Sequence, residues 1–246
     1  MNKQTILVAI VTALAGSIAG FMLANTLNRS EIGPNASLGQ NAVVGQPSGA
    51  NVANSATLSA EEIKARIEAA DRSPQDFPFQ KSLGISLYRY ASLKQDAALL
   101  PDTIRIMQRA LDLDPADRDL QIALGNAHFD VGYFNKDNAS LERARTFYNK
   151  ALERVSGDVD VRADLALTYY LQTPPDLDAA IKEFEQGLAI NPKHERSLQF
   201  LTQTYVKKNE IQKAGQTLDR LKAVNPSSSA IAELTNMIAG GPASVK

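Results

Sequence analysis

The chain has 246 residues, a formal net charge of −1 and 44% hydrophobic residues, which is room for one large domain or a smaller domain with tails. Balanced charge gives no strong pull toward nucleic acid or an anionic surface. With no cysteine, no tryptophan and two histidines, disulfides, thiolate catalysis and cysteine-based zinc sites are excluded, and little remains for building an active site.

Residues 6–27 carry no charge, and as a helix they would span roughly 33 Å, enough to cross a bilayer core. Residues 1–29 are therefore predicted to be a transmembrane anchor. The competing reading is a cleaved signal peptide, with Lys3 as its positive region, residues 6–15 as its apolar core and Ser17-Ile18-Ala19 as its cleavage site. Phe21, Met22, Leu23 and Leu27 prolong the apolar run past that site, which favours the anchor. Lys3 precedes the segment while Arg29 and Glu31 follow it, an asymmetry that places the downstream chain outside the cytoplasm. Gly16 and Gly20 form a small-x-x-x-small pair that would let two such helices approach closely. A homodimer through them is a minority expectation, since small residues also simply fill an Ala-rich helix.

Residues 30–57 consist mainly of Gly, Asn, Ser, Ala and Gln, with Pro34, Pro47 and a single charge, Glu31. No helical or strand period survives there, so a disordered linker is expected. About 27 such residues have an average reach near 30 Å. Ser59 followed by Glu62 then signals a helix start, and Ile63, Ile67 and Ala70 share one helical face. This first helix, 59–72, should end before Ser73-Pro74.

From there the chain repeats itself. The cleanest unit lies between Pro192 and Pro226, about 34 residues apart, and holds Leu198, Leu201, Tyr205, Ala214 and Leu218. The preceding copy has Leu165-Ala166, Tyr169, Ala180, Phe184 and Gly187; another has Leu124-Gly125, His128, Ala144, Tyr148 and Ala151; the first has Leu83-Gly84, Leu87, Thr103, Met107 and Ala110. Small residues recur where two antiparallel helices close on each other, and large apolar ones fill the space between hairpins. The pattern resembles the tetratricopeptide repeat. That resemblance implies an all-α, right-handed superhelical array of helix–turn–helix repeats, with units at about 77–115, 116–156, 157–192 and 193–226. The domain as a whole spans 58–239. A capping helix at 228–239, started by Ser227 to Ser229 and facing inward through Ile231, Leu234 and Ile238, would close it, leaving 240–246 as a tail.

Copies one and two are each about seven residues longer than the basic unit. The extra residues fall between the two helices of the hairpin and are shared: Leu83 aligns with Leu124, Asp96 with Asp137 and Ala110 with Ala151. Two longer hairpins side by side are expected to form a raised wall at one end.

Catalysis is not expected. His128 occupies a core position of its repeat, His194 sits in a turn with no ligand partner at helical spacing, and no nucleotide-binding, nucleophile-elbow or zinc-protease motif occurs. Neither cofactor nor metal is implied. In the tetratricopeptide family the first helix of each pair lines a concave groove that takes an extended peptide or helix. By that resemblance the groove here would include Lys81, Ile85, Tyr88 and Arg89; Asp119, Ile122, Asn126, Phe129 and Asp130; Asp160, Ala163, Leu167 and Tyr170; and Arg196, Gln199, Gln203, Val206 and Lys207. Tyr88, Phe129 and Tyr170 are equivalent residues, and two readings stand for them: peptide anchors along the groove, or packing against the next hairpin. The carboxylate clamp of chaperone-binding members is absent: Lys81 fits, but Ile85, Ala123 and Asp164 occupy the other clamp positions.

The chain is thus expected to be a bacterial-type, single-pass inner-membrane scaffold. Its repeats would lie on the periplasmic side and hold a segment of another protein, without nucleic acid. Secretion after signal cleavage and a cytoplasm-facing array are the alternatives for location. The alternative for role is a structural component or assembly factor of an envelope complex, including one like the anchored repeat subunits of cytochrome c maturation.

Overall fold

A computed structural model describes residues 58–241. The anchor with its Gly16/Gly20 pair, the linker up to residue 57 and most of the tail lie outside the described residues. Among the described residues no helix is long and apolar enough to cross a membrane.

Among the described residues ten α-helices follow in order: α1 Ala60–Arg72, α2 Phe77–Lys94, α3 Leu100–Leu113, α4 Arg118–Asn135, α5 Asn138–Arg154, α6 Val159–Leu171, α7 Leu177–Ile190, α8 Glu195–Lys207, α9 Ile211–Val224 and α10 Ala230–Gly240. Capping explains most of the starts. Ser59 and Glu62 form the reciprocal box at α1. Asp76, Asp117, Asp137, Asp158 and Asp176 each accept a backbone N–H from the first turn of the next helix. Ser229 stands at the cap position of α10 but makes no side-chain cap bond, and Ser227 instead bonds to Asn225.

The helices pair as α2/α3, α4/α5, α6/α7 and α8/α9, and each second helix also packs on the first helix of the following pair. First helices touch the first helices of the neighbouring pairs, α2 to α4, α4 to α6 and α6 to α8, which makes them the inner, concave layer. Helix α1 packs on α2, and α10 covers α8 and α9 at the other end.

The extra residues of the first two copies do not form a loop between the helices. They are absorbed as helix: α2 and α4 are 18 residues each, against 13 for α6 and α8. A 3-10 turn, Ala97–Leu99, precedes α3. Both long first helices end on a left-handed residue, Gln95 and Lys136, each with φ 54°. Asp96 then caps the 3-10 turn and Asp137 caps α5, so the two turns match in conformation as well as in position.

Close approach within the long hairpins requires glycine. A Cβ on Gly84 would lie 2.6 Å from Met107 Cγ, and one on Gly125 would lie 2.6 Å from Tyr148 Cε1. Met107, Tyr148, Leu87 and Leu124 fill the space that closeness leaves, and all are fully buried. Ala166 and Thr202 hold the same position in the last two hairpins; Thr202 is buried, with its hydroxyl donating to the Leu198 carbonyl one turn earlier.

Candidate partner-binding groove

The concave layer is built from one face of α2, α4, α6 and α8. Of the residues assigned to it from the sequence, Arg89 is exposed, while Lys81, Ile85, Ile122, Asn126, Asp130, Gln199 and Lys207 are half-buried. Tyr88, Phe129 and Tyr170 are only 4, 4 and 5% exposed. Leu167, Arg196 and Gln203 are buried too. The three aromatics are thus packing residues rather than free anchors. The apolar step down the groove was legible in their spacing, but the depth to which neighbouring first helices cover them was not.

Two of the buried aromatics carry a polar contact onto the next hairpin. The Tyr88 hydroxyl on α2 donates to Asp130 on α4 at 2.9 Å. Burial raises the Asp130 carboxyl to about 7, with nearby Asp164 pushing the same way and the Tyr88 hydrogen bond opposing. Tyr170 on α6 lies under the Lys207 ammonium of α8, 4.6 Å from its ring centroid. Burial and the charge of Glu233 push the Tyr170 hydroxyl up to about 12, and burial lowers the Lys207 ammonium.

Several charges expected to face a ligand are taken up by other repeats. Lys81 donates to Asp117 at 2.5 Å and to Asp119 at 3.2 Å. Arg196 pairs with Asp164, both almost fully buried, so the basic end of the groove is partly neutralised and rests on Lys207. The acid that would have repelled a carboxylate is likewise neutralised. His194 is not an isolated turn residue: it stands at the cap position of α8, bonded to Ser197 at 2.8 Å and to Asp160 of α6 at 3.1 Å. His128 is half-buried and stacked on Phe147 at 5.7 Å, with burial lowering its imidazole below the usual range. The core position beside it belongs to Phe129.

Other polar groups lie along the groove. Asn126 accepts from the Tyr148 hydroxyl at 2.9 Å. The carbonyl oxygen of Gln203 is buried without a hydrogen-bond partner. It lies one helical turn from both Gln199 and Lys207, which are the half-buried polar groups that α8 presents on that face. An extended backbone carries the complementary N–H and C=O groups.

The sequence did not single out a second concavity, an open cleft on the outer side between α7 and α9. It is lined by Glu185, Tyr205, Lys213 and Arg220 among others. The Tyr205 hydroxyl donates to Glu185 at 2.6 Å. Its aromatic and charged residues look like ordinary repeat surface in one dimension, because only the antiparallel pairing brings them together. No group of His, Cys, Asp and Glu able to hold a metal occurs among the described residues.

Residues 176–238 match the tetratricopeptide repeat family model. No curated relative matches the sequence. Among solved structures, MamA 41-end from Desulfovibrio magneticus RS-1 superposes with a TM-score of 0.55 at 16% identity, over 69% of this chain and 86% of that one. A crystal structure of MamA protein gives 0.54 at 19% identity, over 67% and 81%. Another, also of MamA, gives 0.50 at 19% identity, over 73% and 90%. At these identities the likeness concerns the fold, which is that of a tetratricopeptide-repeat solenoid.

Proposed function

We propose that this chain is a protein–protein interaction module that holds a peptide or helical segment of a partner in its concave groove, with no catalytic role of its own. The observation that carries this reading is the combination of floor and rim. Tyr88, Phe129 and Tyr170 form a buried apolar floor, while Ile85, Arg89, Asn126, Gln199 and Lys207 stay accessible above it. Half-buried Ile85 and Ile122 offer apolar contact to side chains and the polar rim offers hydrogen bonds to a backbone, over a floor that the buried aromatics support.

Residues 1–29 are proposed to anchor the protein in a bacterial-type inner membrane, with the repeats on the periplasmic side and residues 30–57 as the tether. The uncharged run at 6–27 and the Lys3/Arg29 asymmetry support this. A role as a scaffold or assembly factor of an envelope complex is the second reading. The outer cleft at Glu185 and Tyr205 favours it, since a second concave surface would let the array touch two partners.

The test is site-specific photo-crosslinking in the full-length chain. Photoreactive residues at Arg89 and Gln199 on the concave side should trap one discrete protein, and one at exposed Lys182 on α7 should not. Lys207→Glu should cut the concave adduct several-fold. Equal trapping from both sides, or an adduct indifferent to Lys207→Glu, would sink the groove reading. Adducts confined to α7 and α9 would favour the scaffold.

A further inference from the structure

The tips of the first two hairpins differ from the rest of the surface. Leu93, near the end of α2, is 49% exposed, and Phe134, near the end of α4, is 51% exposed. They hold equivalent positions in adjacent repeats, on first helices that touch. Around them the exposed residues are Lys94, Gln95, Ala97 and Ala98 on one tip and Asn135, Lys136, Asn138 and Ala139 on the other. The acids in these turns, Asp96 and Asp137, are turned inward as helix caps.

The third tip has the opposite character, with Asp176 and Asp178 exposed. The far end of the stack also exposes apolar residues, Leu113 and Ile190 among them, but Asp112 and Asp119 are exposed there as well. The turn after Ile190 also carries a lysine, Lys193, without exposed acid, but the first two tips set such a pair on each of two touching first helices, at the opposite edge of the array.

The chain enters the domain at this same end. Helix α1 runs antiparallel to α2, and the Tyr90 hydroxyl, one turn before Leu93, donates to the Leu58 carbonyl at 3.3 Å. The 57 residues that precede Leu58 include the uncharged run 6–27. We infer that the tips of α2 and α4 dock on the surface of an anionic lipid bilayer, with Leu93 and Phe134 in the headgroup layer and Lys94 and Lys136 against lipid phosphates. This rests on the anchored reading given above. Two apolar side chains and two lysines hold a free domain weakly, and Glu61 and Glu62, both exposed at the start of α1, oppose them. Tethering changes that, because a linker with a reach of roughly 30 Å keeps the patch at a high effective concentration against the bilayer. Docking in this way also fixes the orientation of the groove relative to the membrane.

The absence of tryptophan makes the inference directly readable. Full-length Leu93→Trp, Phe134→Trp and Ile190→Trp variants, each with a single indole, are reconstituted into phosphatidylglycerol/phosphatidylcholine vesicles containing brominated phosphatidylcholine. The first two substitutions replace exposed side chains at the tips, and Ile190, also 49% exposed, serves as the control at the far end. The expected result is a blue shift and at least about twofold quenching for the two tip variants, with the control unquenched. Adding Lys94→Glu and Lys136→Glu, or removing phosphatidylglycerol, should restore most of the emission. A chain that floats with the vesicles but shows no tip quenching overturns the inference and leaves the anchor standing. A chain that does not float with the vesicles overturns both. A blue shift that grows with protein concentration in the absence of lipid would assign the patch to a second copy instead, and would equally overturn the inference.

Discussion

The two long hairpins and the two short ones solve the same packing problem by different means. In the long half, glycine lets the helices of a pair close until Met107 and Tyr148 touch the opposing backbone, and the aligned core positions are apolar apart from Thr103 and half-buried His128. In the short half the corresponding positions are Ala166 and Thr202, the helices need no glycine, and polar groups are buried in their place. Asp164 pairs with Arg196, His194 reaches Asp160, and the Thr202 and Thr204 hydroxyls turn back on their own helix. The long half depends on shape and the short half on paired charge. Side-chain volume and backbone distance trade against each other freely, but a buried ion leaves its partner no alternative.

Breaking the charge pair should therefore have the largest effect. Arg196→Ala leaves the Asp164 carboxylate buried without its guanidinium, and a loss of about 3–5 kcal/mol of folding stability is expected by chemical denaturation. The Asp164→Leu/Arg196→Leu double variant should recover much of it, because it removes both ions. A single variant with parental stability would show that the short half is held by its apolar contacts alone.

Gly125→Ala tests the other half. Its methyl would meet the Tyr148 ring well inside normal contact, so a cost of about 1–3 kcal/mol is expected. Tyr148→Leu in the same chain should return part of it. If the alanine variant melts with the parent, the long hairpins are looser than their spacing implies.

A pH-dependent effect sharpens the comparison at the junction of the halves, where Asp130 lies beside Tyr88 and Asp164. Its folded carboxyl, held up to about 7, keeps a proton that the unfolded carboxyl has already lost above about 3.9. The folded state therefore gives up stability as the pH rises from about 4 to about 7. Asp130→Asn should remove that fall. Its melting temperature relative to the parent should be most favourable above pH 7 and converge with it near pH 4. A difference that does not change with pH would show that Asp130 stays ionised throughout.

The contrast also explains what could be read in one dimension. Gly84, Gly125 and Ala166 fall in register with the leucines before them, and a helical hairpin with a small residue at its closest point is the expected product of that register. The family model matches only residues 176–238, in the short half and the helix that closes it. The long half keeps the same core set at a stretched period, so the likeness there is visible in packing positions more than in spacing. The groove was less legible. Phe129 and Tyr170 sit where a rim residue could sit, and only the contact between adjacent first helices, which covers them, makes them the floor. Ion pairs that span repeats, such as Arg196 with Asp164 and Lys81 with Asp117, join residues about 32–36 positions apart. No local pattern marks them.

The contact between Asn138 and Thr173 has a mechanical consequence. The Asn138 amide donates to the Thr173 carbonyl at 2.7 Å and accepts from the Thr173 N–H at 2.9 Å. One bond would fix a distance, whereas two antiparallel bonds also fix a direction. The second hairpin is thereby clamped to the loop after α6 against rotation about the stacking axis. Turning the third hairpin against the second would strain both bonds at once, at a corner where one buried core already runs through both hairpins.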